Sequence, residues 1–241
     1  MRRYIPLLLA GTAFLASLLL MPHAAPLFAW AFPGTVPPVY DRGSFVALAA
    51  SHIWLVALAV TAAATLGTAA AVLVTRPWGR GFAPLADLIA KVGQSFPPAA
   101  VLALLVPVLG FGNLPTLAAL FLYGLLPVTE NMRAGLAGVP ATIKEAATGM
   151  GLSPWQILLR VELPLAWPQG FAGIRIAAVV ALGTATVGST VGALTLGTPI
   201  IDGLVTNRPG FVLQGAVPLA LLAIVLELAA TRLEATSASS H

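Results

Sequence analysis

The chain has 241 residues, 59% of them hydrophobic and 8% charged, where soluble domains carry about 25% charged residues. A water-exposed globule cannot hide so much apolar surface, so the solvent for most of this chain is lipid. The net charge is +4 and cysteine is absent, which excludes disulfides, thiolate metal sites and a cysteine nucleophile.

The basic residues do not cluster into a nucleic-acid stripe. His23, His52 and His241 are far apart and lack metal-ligand spacing. There is no Walker A sequence, so ATP binding through a P-loop is not expected, and no Ser/His/Asp arrangement stands out.

At about 20 residues per span, the length fits five or six membrane helices. The first apolar run, residues 4–21, follows Arg2 and Arg3. It is long for a signal-peptide core, and His23 spoils the small-x-small cleavage pattern, so a retained helix is expected. Pro22, Pro26, Pro33, Pro37 and Pro38 then forbid a continuous helix through residues 22–43. Phe28, Trp30 and Phe32 suit a membrane interface. A second span lies within residues 44–74 and ends at Arg76-Pro77-Trp78-Gly79-Arg80. A short third span covers residues 95–109, a turn follows at Gly110-Phe111-Gly112-Asn113, and a fourth span covers residues 115–128. A long polar stretch runs from Thr129 to Pro164. A fifth span at residues 170–191, a loop with Asp202, Asn207, Arg208 and Pro209, and a sixth span at residues 211–230 complete the chain.

The basic residues orient these spans. With the N-terminus inside, the inner segments hold Arg2, Arg3, Arg76, Arg80, Lys91, Arg133, Lys144, Arg160, Arg175 and Arg232. Arg42 and Arg208 fall outside, so the positive-inside rule puts both termini and the polar stretch in the cytoplasm.

That stretch carries the most specific chemistry. Thr142-Ile143-Lys144-Glu145 reads as a capping box, with Thr142 as N-cap. Gly151 reads as the left-handed residue that stops the helix. Ser153-Pro154-Trp155-Gln156 reads as a second capping box with proline at the first helical position, and Pro164 is expected to close the segment. Ala146 and Ala147 are small enough to let another backbone approach, which suits docking into a partner's groove.

The spacing is that of a gapped motif: Glu145-Ala146-Ala147, three residues, Gly151, nine residues, Val161, one residue, Leu163-Pro164. It resembles the signature of ATP-binding-cassette (ABC) importer permeases, with Val161 in place of the usual isoleucine. The resemblance implies an all-α membrane protein, a polytopic helical bundle of the type I ABC importer permease fold. It implies a coupling loop over residues 133–164 that docks on a cytoplasmic ATPase subunit through Thr142, Glu145, Ala146, Ala147, Gly151, Ser153, Val161, Leu163 and Pro164. It implies further partners: a second permease subunit, identical or related, and a periplasmic solute-binding protein. ATP and magnesium would be held by the ATPase, with no cofactor on this chain, in a bacterial inner membrane. Residues 1–43 would be an N-terminal helix and connection, 44–232 the permease domain and 233–241 a short tail.

Gln94-Ser95-Phe96-Pro97-Pro98, Leu122-Tyr123-Gly124-Leu125-Leu126-Pro127, the run from Gly149 to Gln156, Gly173-Ile174-Arg175 and Gly183-Thr184-Ala185-Thr186 narrow the resemblance to osmoprotectant permeases. That branch imports glycine betaine, choline, carnitine and related quaternary amines; another small solute, such as an amino acid or a sulfonate, is the alternative. A secondary transporter would account for the hydrophobicity but not for the motif. One departure stands out: Gly192-Ala193-Leu194-Thr195-Leu196-Gly197 replaces the family's more glycine-rich run. The tryptophans are scattered as an aromatic belt rather than gathered as a cage for a quaternary ammonium.

Small and hydroxylic residues of the fifth span, Gly183, Thr184, Thr186, Gly188, Ser189, Thr190 and Gly192, suit helix packing or path lining, and Gly188 and Gly192 make a GxxxG pair. His52 and Glu227 sit near span ends, Arg175 reads as a snorkelling anchor, and Glu130 and Arg133 have i, i+3 spacing.

Overall fold

The structure, a computed structural model, describes residues 4–238; Arg2, Arg3 and His241 lie outside the described residues, as does the side chain of Gln94. The described residues form eleven α-helices and no strand. In chain order these are α1 (Ile5–Leu20), α2 (Ala25–Ala31), α3 (Phe45–Thr75), α4 (Ala83–Ser95), α5 (Pro98–Leu109), α6 (Asn113–Ala137), α7 (Ala141–Gly149), α8 (Pro154–Ile157), α9 (Leu163–Gly188), α10 (Gly197–Val205) and α11 (Pro209–Ala238).

Among the described residues, four helical segments are long and apolar enough to cross a membrane: Ile5–His23, Phe45–Thr75, Pro154–Val191 and Pro209–Glu234. The all-α, membrane-spanning expectation therefore holds. The expected third span, α5, is apolar but only 12 residues long, about 18 Å at 1.5 Å per residue and short of a hydrocarbon core of about 30 Å. Pro97 and Pro98 start it, and Gly110, with φ of 78°, stops it.

Several boundaries differ from the sequence reading. The fourth span does not end at Val128, because α6 runs on to Ala137. The last turns are polar, and their amphipathic face packs on the core described below. The stretch Leu163-Pro164 does not close the loop: α8, a five-residue π-helical turn at Leu158–Glu162 and α9 are continuous. Pro164 sits at the second position of α9, just past the widened turn. A proline there cannot donate to the carbonyl four residues back and would crowd it, and a π turn relieves that conflict. Residues 83–94, not assigned to an element from the sequence, form α4 together with Ser95, the residue expected to open the third span, and part of the loop at residues 192–208 forms α10.

The chain divides into two compact units, Met1–Ala59 with Pro97–Leu120 and Val179–Arg232, and Val60–Phe96 with Phe121–Ala178 and Leu233–His241. The first is organised around Tyr40, Phe45 and Phe211. Tyr40 meets the Phe211 ring edge-on at 5.5 Å and the Phe45 ring at 6.2 Å. Buried Gln214 accepts the Tyr40 N–H at 2.8 Å and donates to the Pro38 carbonyl at 2.9 Å, which ties the Pro-rich connection to α11.

The core of the second unit is Ala71, Met132, Leu136, Leu158 and Ala166, with Val72 and Leu163 packed against it. Close approach of α6 and α9 requires glycine. A Cβ on Gly135 would lie 2.7 Å from the Ala166 carbonyl oxygen, and one on Gly173 would lie 2.5 Å from that of Pro127. Small residues at helix contacts are how lipid-buried helices gain packing.

Candidate functional site

The polar segment between α6 and α9 is built by local chemistry. Pro140 is the N-cap of α7 and contributes no side-chain cap. Thr142 is therefore the second residue inside the helix, and the capping box expected from Thr142 and Glu145 does not form. Proline fixes φ near the helix entry, so the helix starts two residues earlier than the Thr142 pattern implies.

The stop is as expected. Gly151 has φ of 83°. Its N–H donates to the Thr148 carbonyl at 2.9 Å, and the Leu152 N–H donates to that of Ala147 at 3.2 Å. This is the Schellman pairing. The second capping box also forms: the Gln156 N–H donates to Ser153 Oγ at 3.3 Å, and the Ser153 N–H donates to Gln156 Oε1 at 2.9 Å.

The two faces of α7 have separate tasks. Ala147 is 2% exposed and packs inward, so it is not available to a partner; only Ala146 of the two alanines is exposed. Lys144 also turns inward, with Nζ 3.9 Å from Glu162 Oε1. The outer surface carries Thr142, Ile143, Glu145, Ala146 and Met150. Ile143, Ala146 and Met150 are spaced i, i+3, i+7, so they line one side. Met150 is 73% exposed, an apolar side chain presented to the surroundings of the loop.

Glu162 stands between α7 and the end of α3, close to Arg76 and within reach of Lys144. It fills the unspecified position between Val161 and Leu163 in the motif, and its side chain is 7% exposed. Arg76 Nη1 lies 2.7 Å from Glu162 Oε2. A buried carboxylate needs such compensation. Arg76 reaches it because the chain folds back after α3: the Gly79 and Arg80 N–H groups both donate to the Arg76 carbonyl at 3.0 Å. A side chain at Gly79 would collide with the Leu73 carbonyl. Sequence reading missed both Glu162 and the role of Arg76. The available signal was a lone acid between apolar residues in a segment otherwise bound for the core. Of the remaining motif residues, Val161 and Leu163 are half-buried, Leu163 against the core.

The residues named for packing or path lining are not brought together as one surface. Gly183 is exposed, and a Cβ there would meet nothing within 4 Å. Thr184 is buried, and Thr186 Oγ1 donates to the Leu182 carbonyl at 3.3 Å. Gly188 packs against Thr116. Ser189 Oγ lies 2.9 Å from Thr195 Oγ1 and 3.3 Å from Thr198 Oγ1, and Thr195 Oγ1 donates to the Ala185 carbonyl at 3.2 Å. Thr190 Oγ1 donates to the Val187 carbonyl at 2.7 Å. Gly192 does not pair with Gly188 on one helical face, because α9 ends at Gly188 and Gly192 is a left-handed stop with φ of 86°. The Ser/Thr hydrogen bonds stabilise this turn by giving its polar groups partners.

The fold has close counterparts. An inward-facing structure of the MetNI methionine ABC transporter superposes with a TM-score of 0.71 at 20% identity, covering 80% of this chain and 95% of that one. An amino acid ABC transporter superposes with a TM-score of 0.63 at 21% identity, covering 91% and 96%. The fold is thus one that ABC transporters contain. The chain belongs to the family of binding-protein-dependent transport system inner membrane components, whose model matches residues 63–237. Among its relatives are the osmoprotectant import permease protein OsmY of Salmonella typhimurium, 42% identical over 73% of this chain and 75% of its own length. The carnitine transport permease protein OpuCB of Listeria monocytogenes is 42% identical over 61% and 67%. The glycine betaine/carnitine/choline permease OpuCB of Bacillus subtilis is 33% identical over 78% and 85%.

Proposed function

We propose that this permease forms, with a second permease subunit, the path for a small quaternary-amine osmolyte such as glycine betaine, choline or carnitine. A periplasmic binding protein delivers the solute. A separate cytoplasmic ATPase, which holds ATP and magnesium, docks on the outer face of α7 and drives alternating access. Both termini and α7 then lie on the cytoplasmic side, as the distribution of basic residues favours.

The observation that carries the docking is the division of α7 into an anchored face, Lys144 and Ala147, and an outward one, Ile143 and Ala146, which the exposed C-cap Met150 continues. A helix of 9 residues is marginal by itself, so the anchor is what lets a push on one face move the spans. The solute class rests on the likeness to the Salmonella and Listeria permeases.

The test is co-purification with the candidate ATPase, and ATP-driven uptake of labelled glycine betaine into vesicles holding the full complex. Met150→Asp is expected to reduce ATPase retention about ten-fold, the loss of about 1.4 kcal/mol, with membrane insertion unchanged. Full retention and full uptake in that variant would remove the docking assignment. Uptake of an amino acid in place of any quaternary amine would replace the solute class.

A further inference from the structure

Beside the Glu162 clamp stand further cations, of which Arg80 is the one outside the described ion pairs. A pocket of about 560 Å³ opens there, walled by Val74, Thr75, Arg76, Arg80, Arg133 and Lys144 together with Glu162. Glu162 serves both Arg76 and Lys144, and Arg133 has Glu130 at 3.9 Å. Arg80 is exposed and pairs with no described acid.

The depth of this pocket follows from α3. Val74 and Thr75 end a helix of 31 residues, about 47 Å long and therefore longer than the hydrocarbon core of about 30 Å. With about its first 20 residues filling that core, its last turn would reach headgroup depth. The chain beyond it bears interfacial aromatics, Trp78 at 70% and Phe82 at 55% exposure. The following helix, α4, exposes Leu85, Leu88 and Ile89. A basic pocket at headgroup depth, next to an uncovered apolar helix face, has the two chemistries of an anionic amphiphile.

We propose that the pocket formed by Arg80, Arg133 and Lys144 binds a phosphate-bearing anion, supplied by the headgroup of an anionic phospholipid whose acyl chains lie on the apolar face of α4. Guanidinium and ammonium groups supply the charge-assisted hydrogen bonds that phosphate oxygens accept. Lys144 belongs to α7, so occupancy bears on how that helix is held. The site does not depend on the solute, and its failure would leave the transport reading intact.

The test uses the purified full chain in neutral detergent. Thermal unfolding is followed with short-chain phosphatidylglycerol, short-chain phosphatidylcholine or inorganic phosphate, for the wild type and for Arg80→Gln. Phosphatidylglycerol is expected to raise Tm where phosphatidylcholine does not. Arg80→Gln should weaken the apparent affinity about five-fold, the factor for one cation at an anionic lipid surface, while leaving the ligand-free Tm in place. An equal response to inorganic phosphate would support the phosphate site and assign its source to the free ion. Equal responses to the two lipids, with none to phosphate, would overturn the proposal. So would an Arg80→Gln variant that responds like the wild type. If that variant keeps its lipid response but loses ATPase co-purification, the pocket serves the protein partner and the proposal also fails.

Discussion

Glu162 and Arg76 meet at 2.7 Å, with the carboxylate side chain 7% and the guanidinium side chain 21% exposed. Removing one partner strands the other in a poorly solvated place. Glu162→Gln is expected to cost about 3 kcal/mol, read as a lower Tm of the detergent-purified chain. Lys144→Met breaks only a 3.9 Å pair on a side chain that is 36% exposed, and should cost less than about 1 kcal/mol. Equal losses in the two variants would contradict this ranking.

Gly151 separates backbone strain from docking. It needs its positive φ, yet a Cβ there meets nothing within 4 Å. Gly151→Ala and Gly151→Trp should therefore lower stability by a similar amount, about 1 to 2 kcal/mol. Only the tryptophan adds bulk to the surface offered to the ATPase. Co-purification is expected to fall much further for Trp than for Ala, and equal retention would argue against contact at this point.

Gly173 and Gly183 lie nearly three turns apart on α9 and differ in surroundings. A Cβ on Gly173 would press on the Pro127 carbonyl oxygen and on Asn131 Cβ at 2.8 Å, whereas one on Gly183 finds open space. Gly173→Ala should reduce Tm and the yield of folded protein, because backbone atoms cannot step aside. Gly183→Ala should hold Tm or raise it slightly, since alanine favours the helix, while altering uptake if this position lines the path. Unchanged uptake would remove Gly183 from the path.

Gln214 holds the connection before α3 through both ends of its amide. Gln214→Leu leaves the Tyr40 N–H and Pro38 carbonyl without that partner, a cost of about 2 kcal/mol in thermal unfolding. Nearby, burial first and the Asp202 carboxylate second push the Tyr40 hydroxyl from 10.0 up to about 12. The folded value lies above the unfolded one, so this contribution is fully present below pH 10 and is lost as pH rises toward 12. Tyr40→Phe should flatten the fall in Tm across that window and leave Tm at pH 7 to 9 without a pH slope from this site.

The motif from Glu145 to Pro164, the stop at Gly151 and the cap at Ser153 could be read along the chain because each depends on neighbours a few residues away. Even there, local rules competed: proline at position 140 outranked Thr142 as the helix start, and the π turn carried the helix through Pro164. The fate of Ala147 was less legible, since a small residue suits an outer docking face and an inner packing face equally well. Gly192 misled for a related reason, because GxxxG spacing says nothing of whether the helix survives to its second glycine.

The amino-acid order alone determined that this chain lives in lipid, that its helices cross in series and that a polar, capped segment interrupts them, because hydropathy and capping act over short distances. The tertiary structure alone decided that Glu162 binds Arg76 and Lys144, that α7 has an anchored and an outward face, and that Gln214 secures Tyr40. These pairs are separated by up to 174 residues, and a charge or amide so far from its partner carries no local trace of the contact that balances it.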